Sequence, residues 1–171
     1  MSKLSLLFST SHHPMSAVIR ACTWSNWSHV ALIDGENVIE ATAPAGVRRY
    51  PVVLAINHAK RGAIVDLPSR NPQMVIAAAA SQIGKPYDYT AILGLGLNRD
   101  WQEDDRWFCS ELIAWSFAQA GESLFRPEVL LRVTPQHLWM LAPAPLPPDL
   151  DLHPDPEGRL VRPSSFGEQH G

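Results

Sequence analysis

A chain of 171 residues, 46% of them hydrophobic, is long enough to bury a substantial core and short enough to form a single domain. Its 14 Lys and Arg stand against 17 Asp and Glu, so there is no basic surplus for nucleic acid or anionic lipid. No run approaches the roughly twenty apolar residues that span a bilayer, and Met1 to Phe8 lacks the apolar length and cleavage site of a secretory leader. The expectation is a cytoplasmic protein whose two cysteines, Cys22 and Cys109, stay reduced and unbridged.

Leu4 to Ser9 reads as a strand, followed by the turn-rich Ser9-Thr10-Ser11-His12-His13-Pro14, whose proline suits the first turn of a helix running through Cys22. Val30 to Ile33 is an apolar strand ended by Asp34-Gly35, a strong hairpin signal, with Val38 to Ala41 returning and Val47 to Val53 pairing beyond. Ala63 to Leu67 is a further strand, ended by Pro68. Asn71-Pro72 supplies an N-cap and first-turn proline for a helix to Ile83, with Gly84 as its stop. Tyr89 to Leu97 is apolar, contains Gly94 and Gly96, and reads equally as loop or short helix. Phe108, Leu112, Ile113 and Phe117 recur at helical spacing before Gly121, and Thr134-Pro135 opens a last helix to about Leu141. Seven of the 15 prolines fall between Pro143 and Pro163, so residues 143–171 are expected to be an extended or disordered tail to a domain of residues 1–142. Strands come mostly early and long helices mostly late, which is an α+β pattern with an antiparallel sheet packed against helices.

The chemistry concentrates on Cys109. In Trp107-Phe108-Cys109-Ser110-Glu111-Leu112 the thiol falls in the first turn of a helix, where the backbone dipole and unpaired N–H groups favour thiolate, the nucleophilic form. Against this, a buried cysteine is commonly a small apolar filler. Cys22 lies within Val18-Ile19-Arg20-Ala21-Cys22 and reads as a structural, mid-helix residue. His29 opens the strand His29-Val30-Ala31-Leu32-Ile33; its bland alternative is a strand-end histidine satisfied by water or backbone. His12, His13, His58, His137, His153 and His170 have weaker surroundings, and no His or Cys spacing matches a metal site, so neither metal nor cofactor is expected.

Glu40 depends on the hairpin. A two-residue Asp34-Gly35 turn sets Glu40 directly opposite His29; a four-residue loop from Asp34 to Asn37 pairs Ala31 with Glu40 and leaves it one diagonal step away on the same face. A three-residue loop turns it to the other face.

His29-Val30-Ala31-Leu32-Ile33, Val38-Ile39-Glu40-Ala41 with Gly46-Val47, Gly84-Lys85-Pro86-Tyr87-Asp88 and Phe108-Cys109-Ser110-Glu111-Leu112 follow one another in an order that resembles the circularly permuted NlpC-type papain-like hydrolases. That broad group also holds the lecithin–retinol acyltransferase-like proteins. The similarity covers about residues 4 to 142, and it implies a permuted papain-like fold, since histidine precedes cysteine here. It implies Cys109 as nucleophile, His29 as general base and Glu40 as the residue orienting it, where the acyltransferase branch has a second histidine. Tyr87 would lie near the site as a substrate or oxyanion contact; its bland alternative is a core tyrosine. The implied activity is cysteine-dependent hydrolysis of an amide or peptide bond, a cell-wall-type peptide included, with acyl transfer or lipid ester cleavage, and a non-enzymatic binding module, as alternatives.

Overall fold

The computed structural model describes residues 2–88 and 106–142, together with the backbone of two short strands farther on. Its elements in chain order are β1 (Ser2–Thr10), α1 (Pro14–Thr23), β2 (His29–Asp34), β3 (Asn37–Thr42), β4 (Gly46–Pro51), α2 (Val52–Asn57), β5 (Arg61–Ser69), α3 (Pro72–Ala80), α4 (Cys109–Gln119), a 3-10 turn (Pro127–Arg132) and α5 (Pro135–Met140). Two more short strands, β6 (His153–Pro154) and β7 (Leu160–Val161), pair antiparallel with each other. The apolar segment Tyr89 to Leu97 and most of the proline-rich stretch lie outside the described residues.

Strand order is β4-β3-β2-β1-β5, with every neighbouring pair antiparallel. Alternation along each strand gives the sheet two apolar faces. Leu4, Leu6, Phe8, Val30, Leu32, Ile39, Ala41, Val65 and Leu67 face the helices α3, α4 and α5, whose Val75, Ala79, Leu112, Ile113, Phe117 and Leu138 complete the main core. The opposite phase, Leu7, Ala31 and Val38, packs on Val52 and Ile56 of α2. The architecture is thus α+β, an antiparallel sheet packed against helices.

Several boundaries differ from expectation for identifiable reasons. The β2–β3 turn is centred one residue later than Asp34-Gly35: Asp34 pairs with Asn37 around Gly35-Glu36. Gly35 takes φ 60° at the first central position, where a two-residue hairpin needs a positive φ. The strand expected to run to Val53 stops at Pro51, and Val52–Asn57 turns helical to cover the second face of the sheet. Pro68 does not end β5; it pairs with Lys3 inside it, tolerated because β5 is an edge strand. Asn71 starts α3 without a side-chain cap, and the exposed loop carboxylate of Glu122 accepts the N–H groups of Arg70 and Asn71 at 2.8 and 2.7 Å instead. That helix ends at Ala80, short of Ile83, and passes through a turn to Gly84. Cys22, expected within the helix interior, is exposed in the last turn of α1, whose buried face is Ser16 and Ile19.

Candidate active site

The observed β2–β3 register places Ala31 beside Glu40 when the Leu32–Ile39 pairing is carried one step on, so His29 and Glu40 are diagonal neighbours on one face. Their side chains meet: His29 Nε2 donates to Glu40 Oε2 at 2.7 Å. The Cys109 thiol lies near enough to the imidazole to raise its proton affinity. His29 is the first residue of β2, at the end of the sheet, and Cys109 is the first residue of α4, which packs across β2 and β3. The fold therefore brings the three side chains singled out in the sequence near one another, with His29 and Glu40 directly hydrogen-bonded.

Burial by itself works against a charged imidazole. The hydrogen bonds and charges of Cys109 and Glu40 outweigh it, and His29 is pushed up to about 10 from its ordinary 6.5. Burial likewise penalises the Glu40 carboxylate, but His29 and then Arg48 overcome it and hold the acid near 2. The two are a hydrogen-bonded ion pair, with Glu40 almost fully enclosed and the imidazole 23% exposed.

Arg48 is the participant that sequence reasoning missed. Glu40 and Arg48 are directly opposite in the β3–β4 register, and Nε–H and Nη2–H of Arg48 both donate to Glu40 Oε1, at 2.9 and 2.7 Å. The signal would have been the register of the second hairpin, but the turn at residues 43–45 carries no two-residue motif from which to read it.

Tyr87 is buried and stands 6.1 Å, ring to ring, from Phe108, the residue before Cys109. Its segment is fixed from two sides. Val47 N–H donates to Lys85 O at 2.8 Å and Gly84 N–H to Val47 O at 2.9 Å, while Trp107 N–H reaches Pro86 O and Asp88 N–H reaches Trp107 O. Gly46 makes the first contact feasible: at φ 73° a Cβ there would lie 2.3 Å from Lys85 O.

A cavity of about 400 Å³ opens beside this assembly. His29, Glu40, Arg48, Tyr50 and Tyr87 line it, with the hydroxyl-bearing Ser9, Ser11, Ser28 and Thr42 on its wall. Cys109 is buried and is not one of the residues lining this cavity.

A helix opening on cysteine, packed on a sheet whose strand histidine precedes it in sequence and bonds an acidic neighbour, is the arrangement of a circularly permuted papain-like protein. Residues 3–144 match the model of the family described as "Permuted papain-like amidase enzyme, YaeF/YiiX, C92 family", and the chain belongs to that family. It is 29% identical over 154 residues to the probable lipoprotein peptidase YaeF of Escherichia coli strain K12, an alignment covering 70% of this chain and 56% of YaeF. The chain thus spans little more than half the length of that relative. A crystal structure of yiiX from Escherichia coli O157:H7, titled a metalloprotein, shares the fold with a TM-score of 0.58 and 24% identity, over 73% of this chain and 69% of the other. Among the described residues of this chain, no three His, Cys, Asp or Glu side chains form a group that could hold a metal ion.

Proposed function

We propose that this protein is a cysteine amidase or peptidase in which Cys109 is the nucleophile, His29 the proton carrier and Glu40 the residue that orients it. The observation supporting this is the 2.7 Å hydrogen bond from His29 to Glu40, with the Cys109 thiol near enough to the imidazole to raise its proton affinity. With the imidazole protonated, the sulfur attacks as thiolate. An S–C bond forms at the amide carbonyl, the C–N bond breaks, and His29 delivers its proton to the departing amine. Water then attacks the thioester while His29 takes its proton, the C–S bond breaks, and release of the acid restores the thiolate–imidazolium pair. On this reading the Cys109 backbone N–H, in the first turn of α4, and Tyr87, on the cavity wall, would hold the developing oxyanion. An amide or peptide substrate agrees with the family, and the peptidase name of YaeF supports the same class. Kinship with NlpC-type and acyltransferase-like proteins rests on the order of the sequence motifs.

Competitive alkylation is a sharp test, because accessibility alone favours the wrong cysteine: Cys22 is exposed and Cys109 buried. At pH 6 an ordinary thiol is almost wholly protonated, so iodoacetamide should label Cys109 at least about tenfold faster than Cys22 only if His29 holds it as a thiolate. Cys109→Ala should abolish hydrolysis of model peptide amides and Cys22→Ala should leave it unchanged. Faster labelling of Cys22 at every pH, or turnover by Cys109→Ala, overturns the assignment.

A further inference from the structure

We propose that Arg48 is a fourth, positioning member of the site, one that aims His29 at Cys109 by locking Glu40 in a single orientation. This rests on the reading of Cys109 and His29 just given. A glutamate carboxyl group swivels broadly about its last torsion, so burial alone does not decide which oxygen faces the imidazole. Arg48 decides it. Two donors converge on Oε1, at 2.9 and 2.7 Å, which leaves Oε2 as the oxygen directed at His29 Nε2. Charge-assisted forked hydrogen bonds of this kind are about twice as strong as neutral ones. The guanidinium is itself held, with Cζ 4.0 Å from the centre of the Tyr50 ring. Direct cross-strand pairing of Glu40 with Arg48 makes the contact a property of the sheet rather than of a loose surface side chain.

The positive charge of Arg48 also acts the other way, since a cation near an imidazolium discourages it. That opposing effect is weakened by solvent, because the Arg48 side chain is 38% exposed while Glu40 is 6% exposed. Losing the orientation removes the His29–Glu40 hydrogen bond itself, a larger loss. The groups around His29 are Cys109 from α4, Glu40 from β3 and Arg48 from β4; His13, Tyr50, His58 and Tyr87 lie farther along the cavity wall. His13 is occupied in capping α1 through its Nδ1.

The experiment follows the imidazole titration of His29 by NMR in the full-length protein, for the wild type, Arg48→Gln, Arg48→Lys, Glu40→Gln and the Arg48→Gln/Glu40→Gln double variant. Arg48→Gln should lower the His29 midpoint by more than about one pH unit. Arg48→Lys should recover less than half of that, because an ammonium cannot make the fork. In the Glu40→Gln background, Arg48→Gln should add almost nothing, the sign of action through Glu40. An unchanged or raised midpoint in Arg48→Gln, or an equal effect with and without Glu40, overturns the proposal. Should Arg48→Gln not fold, Arg48→Lys decides: a wild-type midpoint there also overturns it. Unreactive Cys109 in the wild type would sink the catalytic reading yet leave the His29 titration to judge Arg48 separately.

Discussion

Glu111 sits two residues beyond Cys109 in the first turn of α4, where a carboxylate would ordinarily be welcome. Burial reverses that preference. Removal from water raises its proton affinity; the Phe108 N–H that it accepts at 3.4 Å opposes the rise, and the charge of Asp88 adds to it, leaving Glu111 at about 8 instead of 4.5. Between those two values the unfolded chain has released a proton that the folded chain still holds, so stability falls as pH rises from about 4.5 to 8 and levels off above. Glu111→Gln removes the titration while keeping an acceptor for Phe108. Its stability relative to wild type, followed by thermal melts, should climb from near zero at pH 4 to a gain on the order of a few kcal/mol at pH 8.5. A pH-independent difference would show that Glu111 titrates in the folded chain as it does in the unfolded one. The buried state of this acid was not legible in the sequence, because its enclosure depends on how α4 packs and the like charge of Asp88 comes from a separate segment.

At the level of elements, the contact between the start of β4 and residues 84–87 explains two sequence signals at once. Gly46 and Gly84-Lys85-Pro86-Tyr87 belong together because the Lys85 carbonyl lies where a Cβ on residue 46 would sit. Gly46→Ala forces both a strained φ of 73° and a collision with main chain, and it should cost about 2–4 kcal/mol in urea unfolding. Gly35→Ala is the control, since it shares a positive φ of 60° but meets nothing within 4 Å. It should cost only the conformational share, about 1–2 kcal/mol. Equal losses would mean that the close approach contributes nothing. Helix starts at Pro14, Cys109 and Pro135 and the strand before Asp34 were readable because local chemistry sets them. The helix Val52–Asn57 was not, since two adjacent valines after a strand argue locally for more strand, and only the bare second face of the sheet demands a helix there.

For the molecule as a whole, the α+β class followed from strands lying mostly early and helices mostly late, while turn geometry put His29 and Glu40 on one face for two of three hairpin loops, and the observed register is one that does so. The role of Arg48 and the approach of α4 could not, because both depend on how separate elements meet. That division also sets an order of assembly. His29, Glu40 and Arg48 all lie in β2, β3 and β4, consecutive antiparallel strands joined by short turns, whereas Cys109 comes from a helix much later in the chain. Local pairings close quickly and distant ones slowly, so the proton-handling half of the site should form in refolding before the sulfur arrives. Hydrogen-exchange pulses should find the β2–β3 amides protected before Cys109 gains its pH 6 reactivity towards iodoacetamide; simultaneous appearance would contradict this order. On the proposed roles, a half-folded chain would then carry a base without an armed nucleophile, and the attacking group would be switched on only once the main core has closed around it.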